Sequence, residues 1–412
     1  MFRRISCAAL LAASMMSAPA LAAPGTAAGG IEALKNYNLI VLGDFKIGHD
    51  VEGKALVTGK VTGTSQVGIG STNGQGQAAS STVAIFTAGS LGNGADVKVH
   101  NGSNGAVGAS LNGTVVTAKV AGDVSGAYLT LNTNGGSTRS FEIGGSYCCS
   151  NSMTMGAGDI GKVGGNFQNV NHDGGILRVG GTASGNLNGS DRQVGIATNN
   201  AAPFYDANFQ TDLAGAISST LDQVKNDVTT LSATLAGLSA SALSTHSMAG
   251  TKMTLNAVDG GGGFALFDYD VSDFAGITDL IYNFGSTSLP VIVNVHGATA
   301  NFAFNNEGSN EVNNQQVIWN FVDATSVSFS DEFYGSVLAV NATVTNITPI
   351  EGSVVAKAFN QGGEVHLGTY NGRTPFLTPP PSVPEPATWA MMIGGLGLVG
   401  ASMRRRTKVA FA

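Results

Sequence analysis

The chain has 412 residues, of which 58 are glycine, 43% are hydrophobic and only 11% are charged. This excludes an ordinary helical enzyme, and the hydrophobic share excludes disorder driven by low hydrophobicity and high charge, leaving a repetitive β architecture with many tight turns. Net charge is −7; setting aside the six basic residues of the two termini leaves 14 basic against 27 acidic ones, a body near −13 that excludes nucleic acid as a partner.

Residues 1–22 read as a signal peptide. Arg3 and Arg4 form the charged region, Ala8 to Met16 are mostly apolar, and Ala20-Leu21-Ala22 gives the small-x-small pattern for signal peptidase, with cleavage after Ala22. Cys7 stands at the start of this segment rather than after an apolar run, which argues against a lipoprotein site. Cys148 and Cys149 are neighbours, which close only a strained ring, so they read as ordinary turn residues rather than a disulfide framework.

After a short helical lead-in from Gly29, Tyr37 to Phe45 reads as a strand ending in the turn Gly43-Asp44. Short apolar strands then keep arriving at Gly-Gly, Gly-Asp or Gly-Lys corners. The steps from Gly43 to Gly59, from Gly122 to Gly144, from Gly144 to Gly164 and from Gly164 to Gly180 are similar in length, a loose period in the range of solenoid repeats. Each unit is too small to bury its own apolar face, so neighbours must stack. The expected fold class is mainly β, a β-solenoid; a β-sandwich with Gly-rich loops is the alternative.

Residues 206–242 break this pattern. Leu213, Ile217, Leu221, Val224, Val228, Leu231, Leu235 and Leu238 recur at spacings of three and four, with no Pro between them. They predict one long accessory α-helix lying along the flank of the solenoid. A coiled-coil dimer would give the same spacing, but few charges flank the stripe. Strands resume at Phe264–Val271, Pro290–Val295 and Ala300–Phe304. The densest β text follows, from Val317 to Phe329 and from Phe333 to Ala339, then Gly352 to Ala356.

The composition changes again at a Pro-rich linker, residues 376–386, which is stiff and extended. Beyond it Ala387 to Met403 is an apolar run only just long enough to span a membrane. Arg404, Arg405 and Arg406 would hold its end on the cytoplasmic side, leaving the body across the inner membrane.

Few residues carry chemistry. His49-Asp50 and His172-Asp173 are adjacent pairs, which point to opposite faces of a strand. Glu364 and His366 are two apart and would share a face, able in principle to bind a metal or to do acid–base work, although two solvated strand residues is the better reading. Asp268, Asp270 and Asp273 are weak candidate Ca²⁺ ligands, because a hard cation wants several nearby carboxylates; no EF-hand loop accompanies them. No cofactor is expected beyond that ion. Thr62-x-Thr64 and Thr343-x-Thr345 are isolated pairs, whereas ice binding would need a flat ladder of regular Thr.

Two resemblances add to this reading. Pro384-Glu385-Pro386, the short span and the Arg cluster, residues 384–406, resemble the PEP-CTERM sorting signal of Gram-negative bacteria that make exopolysaccharide. The resemblance implies cutting near the tripeptide by an exosortase, so the membrane segment about 387–403 is transient and the product reaches the cell surface or extracellular matrix. Residues 31–375 resemble the choice-of-anchor A adhesin domain, through Asn38-Leu39-Ile40-Val41-Leu42-Gly43-Asp44, His49 to Gly53, Trp319-Asn320-Phe321, Gly335 to Ala339, Glu351-Gly352 and Glu364-Val365-His366. Val340 replaces the Pro expected after Leu338-Ala339. The Gly-Ser-Val-Leu-Ala strand and long helix are also similar to β-solenoid ice-binding proteins. The implied function is non-enzymatic adhesion to exopolysaccharide or other cell surfaces, with a secreted polysaccharide lyase as the alternative; such lyases need basic residues, and this body has few.

Overall fold

The computed structural model describes residues 23–377 apart from 71–82, 103–114, 134–136, 149–152, 190, 195–201, 204–205, 241, 286–288 and 309. Ala20 and Ala22 of the signal region, Cys149, and the whole of Pro384–Arg406 lie outside the described residues. Residues Met1–Arg373 form one compact unit and Thr374–Ala412 another. Every described strand belongs to the first.

The chain is mainly β, as its composition requires, and its strands pair in parallel through most of the fold. One ladder begins at Ala265–Asp270 and runs through Val291–His296, Val317–Phe321, Ser336–Asn346 and Val354–Gln361. It then passes to Leu39–Val41, the first strand of the chain, and on through Ala55–Val67, Phe86–Leu91, Val115–Val120, Thr138–Ile143, Ile160–Val163 and Ile176–Val179. The first strand therefore lies in the middle of the stack, with the later half of the chain added to one side of it and the earlier half to the other. Parallel pairing of this kind argues against the sandwich alternative, whose sheets are antiparallel.

Register explains the apolar text. Ala356, Val41, Val57, Ala88, Val120, Ile143, Val163 and Val179 align in one file, all fully buried or nearly so. The neighbouring file, Leu338, Val355, Ile40 and Leu56, points the other way and is buried too. Strands covered on both faces read as unbroken apolar runs rather than as alternation.

The second cover is the long helix. Helix α1 spans Ala27–Asn36 and helix α2 spans Phe209–Ala236. The apolar stripe of α2 is buried at Leu213, Ile217, Leu221, Val228, Leu231 and Leu235. At 1.5 Å per residue its 28 residues reach about 42 Å, enough to pass eight or nine strands spaced about 4.8 Å apart. It does so, touching strands from Thr138–Ile143 to Val291–His296. The helix is shorter than the expected 206–242: Asp206 caps the turn before it, accepting from the Asn208 N–H at 3.0 Å, and Gly237 ends it. Helix α1 packs on α2 through Asp227, whose carboxylate accepts from the Thr26 N–H at 2.7 Å. No described helix is long and apolar enough to cross a membrane.

At glycine corners such as Gly144 and Gly164 both α2 and the neighbouring corner come close. A Cβ on Gly164 would lie 2.1 Å from the Gly144 carbonyl oxygen and 2.9 Å from Cα of Gln210 in α2. The residue after the corner then clamps its successor. Asp44 accepts from the Lys60 N–H, Asp123 from Ser146, Ser146 from Asn166 and Asn166 from Thr182, at 2.7 to 3.0 Å. This side-chain ladder is the physical cause of the recurring Gly-Gly-polar text.

The later half fills its interior with rings. Phe302 lies 5.0 to 6.1 Å from Phe274, Phe304, Trp319, Phe321, Phe329 and Phe333, centroid to centroid. The Trp319 Nε1–H donates to the Tyr282 hydroxyl at 3.0 Å, which in turn donates to the Tyr334 carbonyl at 2.5 Å. Buried indole and phenol groups are thereby satisfied.

Candidate binding face and acidic cluster

A second parallel ladder runs beside the first and faces solvent. Its strands are Thr299–Phe302, Ser326–Phe329, the end of Ser336–Asn346, the end of Val354–Gln361, and Phe45–Ile47. Alternation turns Ala300, Val327, Val344 and Phe359 inward, where they are buried. The outward positions form two files. One is Thr299, Ser326, Thr343 and Ala358; the other is Asn301, Ser328, Thr345, Asn360, Lys46 and Thr62. Thr299, Asn301, Ser326 and Asn360 are exposed, and Ser328, Thr343 and Thr345 half-buried. The hydroxyl of Ser328 donates to Asn301 Oδ1 at 2.7 Å, so part of the array is held in place from within.

The result is a regular, nearly uncharged surface of hydroxyl and amide groups, spaced about 4.8 Å between strands and about 7 Å along them. Its donors and acceptors point to solvent. Thr343 and Thr345 are therefore not an isolated pair. Their neighbours are Ser326, Ser328, Thr299 and Asn301 on the two preceding strands of this face, and only the strand register brings them together.

The second cluster lies on a third face, where Phe333–Tyr334, Ile350–Glu351 and Val365–His366 pair in parallel and Val51 bridges to Val365. Glu351 and His366 are register partners, and His366 Nδ1 bonds Glu351 Oε1. His366 Nε2 bonds Glu364 Oε2 at 2.7 Å. The imidazole is thus held between two carboxylates. Glu52, next to Val51, is buried and accepts from the Leu367 N–H at 2.7 Å. Burial alone would lower the His366 pKa; the hydrogen bond and charge of Glu351, then Glu364 and Glu52, overrule it and raise the pKa to about 9. Glu332 shifts upward, through burial first and then the charge of Glu351 facing it.

Glu364 and His366 do share a face and touch, as two residues one strand step apart must. They are not simply solvated, however: the His366 side chain is 13% exposed. Glu351 and Glu332 escape a reading of the sequence because they lie one and two strands away. The signal is present in the repeated text Gly335-Ser336-Val337 and Gly352-Ser353-Val354, which fixes the register around Glu351.

The other sequence candidates are scattered. Asp268, Asp270 and Asp273 are exposed and do not gather. Asp268 pairs with His296 at 2.8 Å, while Asp270 and Asp273 form a capping box around a single 3₁₀ turn. His172, the last residue of its strand, is buried, Asp173 just beyond it is exposed, and His49 is exposed. Cys148 ends a short strand as a free thiol.

Residues 30–142 and 116–367 match the family described as "Putative Ice-binding-like adhesive domain", and residues 382–406 match the PEP-CTERM protein-sorting motif. The adhesive match takes in most of the chain, and the chain belongs to that family. It spans the stretch on which the choice-of-anchor A resemblance rests. The sorting motif implies exosortase processing and surface sorting in Gram-negative bacteria. No curated protein matches the chain. Among solved structures it is similar to the ice binding protein from an Antarctic bacterium Flavobacteriaceae, at 11% identity over 82% of this chain and 98% of that one, with a TM-score of 0.23.

Proposed function

We propose that this member of the ice-binding-like adhesive family is a non-enzymatic surface adhesin or matrix protein that contacts exopolysaccharide. The observation that carries the proposal is the two-file array of Thr299, Ser326 and Thr343 with Asn301, Ser328, Thr345 and Asn360. Sugars offer hydroxyl groups at close, repeated intervals. A regular surface of hydroxyl and amide groups, part of it held in place by the Ser328–Asn301 bond, binds them with less ordering of its own side chains. The parallel ladders, stacked on three faces and flanked by α2, support reading the body, residues 31–375, as a β-solenoid.

In this proposal signal peptidase removes residues 1–22, and the span at about 387–403 holds the precursor in the inner membrane. An exosortase then cuts near Pro384-Glu385-Pro386, behind the linker 376–386, and the body passes to the cell surface or matrix. The regularity of the same array favours a second reading, in which it orders water as ice. The test measures binding of the purified chain to exopolysaccharide from its host alongside thermal hysteresis. Binding without hysteresis supports the adhesin; hysteresis without binding replaces it with the ice reading.

A further inference from the structure

We propose that Glu332, Glu351 and His366 form a binding site for a divalent transition-metal cation of the zinc class. One ligand atom from each lies within 4.8 Å of the other two, the only such group among the described residues. Proximity of acidic residues alone would carry little. The second observation is Glu351 Oε2. Glu351 is 1% exposed, its Oε1 bonds His366, and its Oε2 is buried with no hydrogen-bond partner. A buried carboxylate oxygen without a donor is costly, and a cation satisfies it.

The donor set selects the ion. An imidazole with two carboxylates suits zinc and its neighbours, whereas Ca²⁺ and Mg²⁺ take oxygen ligands. Glu364, at 2.7 Å from His366 Nε2, fixes the ring and leaves Nδ1 turned toward Glu351, the carboxylate–histidine–metal arrangement. Charge agrees: Glu52, Glu332, Glu351 and Glu364 surround one imidazole. Glu332 is exposed, so the site opens to solvent and keeps a position for water. The three ligands come from or beside three successive strands, Phe333–Tyr334, Ile350–Glu351 and Val365–His366. The ion would staple these turns together.

The test is calorimetric titration of the full chain, purified without a tag and stripped with chelator, using zinc chloride and, separately, calcium chloride. The expected result is one equivalent of zinc, weakened by about tenfold or more in both Glu351→Gln and Glu332→Gln, with no comparable calcium heat. Glu332 is exposed, so its variant keeps the fold even where Glu351→Gln does not. Absence of zinc binding, equal affinity in Glu332→Gln, or equal binding of calcium overturns the proposal.

Discussion

Asn294 and Asn320 stand directly opposite one another on neighbouring parallel strands, their amides bonded at 2.9 Å, and both reach the backbone of α2. Asn320 donates to the Ser232 carbonyl and accepts from the Ser232 hydroxyl; Asn294 donates to the Leu235 carbonyl. The side chains of Asn294, Asn320 and Ser232 are nearly or wholly buried. This network fixes where along the stack the end of α2 sits, which an apolar stripe alone cannot do.

Replacing Asn320 by Leu strands the Ser232 hydroxyl and the Asn294 oxygen and takes the second donor from the Ser232 carbonyl, which keeps its own bond within the helix. The expected cost is about 3 kcal/mol, read from urea unfolding. The double variant with Asn294→Leu should cost less than the sum of the singles, because it removes polar groups together. A loss below about 0.5 kcal/mol for Asn320→Leu would show that the network does not hold the helix.

Two glycines should respond oppositely to alanine. Gly164→Ala drives a methyl into the Gly144 carbonyl and α2, and should lower stability by about 2 kcal/mol or more. Gly215, on the exposed side of α2 with nothing within 4 Å of its added Cβ, should gain about 0.5 to 1 kcal/mol. Thermal unfolding of both variants checks the docking of α2 against the corners.

Lys54 is fully buried, and burial lowers its pKa from 10.5 to about 8. Between those values the unfolded chain holds a proton that the folded chain has shed. Its contribution therefore improves as pH rises from about 8 toward 10.5, and is lost as pH falls through 8. His366, raised to about 9, acts in the opposite direction between 6.5 and 9. The difference in slope between wild type and Lys54→Met, over about pH 7.5 to 9.5, isolates the lysine. Parallel slopes would contradict the assignment.

Sorting is tested by changing Pro384, Glu385 and Pro386 to Ala and fractionating cells. The uncut precursor should accumulate in the inner membrane. An unchanged distribution between membrane, surface and medium would remove the tripeptide from the account.

Much of the fold is legible in the sequence because it is local. The 3.6-residue stripe from Leu213 to Leu235 marks α2, and Gly164-Gly165-Asn166 marks a corner whose close contacts need glycine. What is not legible is register. Thr299, Ser326 and Thr343 become neighbours only when strands separated by whole turns of the chain are stacked, and Glu351 meets His366 only across such a turn. The order of stacking is equally hidden, since nothing local says that Val354, near the end of the body, pairs with Leu39 at its start. Glu364 and His366 are visible as a pair, but the enclosure of the imidazole depends on Glu351, which comes from another strand.

If the Thr, Ser and Asn files are the contact surface, a charge placed on them should weaken binding to exopolysaccharide. Co-sedimentation of the purified chain with insoluble exopolysaccharide tests it, comparing wild type with Thr345→Lys, Ser328→Lys and, as a control on another face, Tyr128→Lys. The two array variants should lose binding by about tenfold while remaining folded, because each places a long charged side chain on the array, and Tyr128→Lys should bind normally. Equal binding by all four proteins would contradict it.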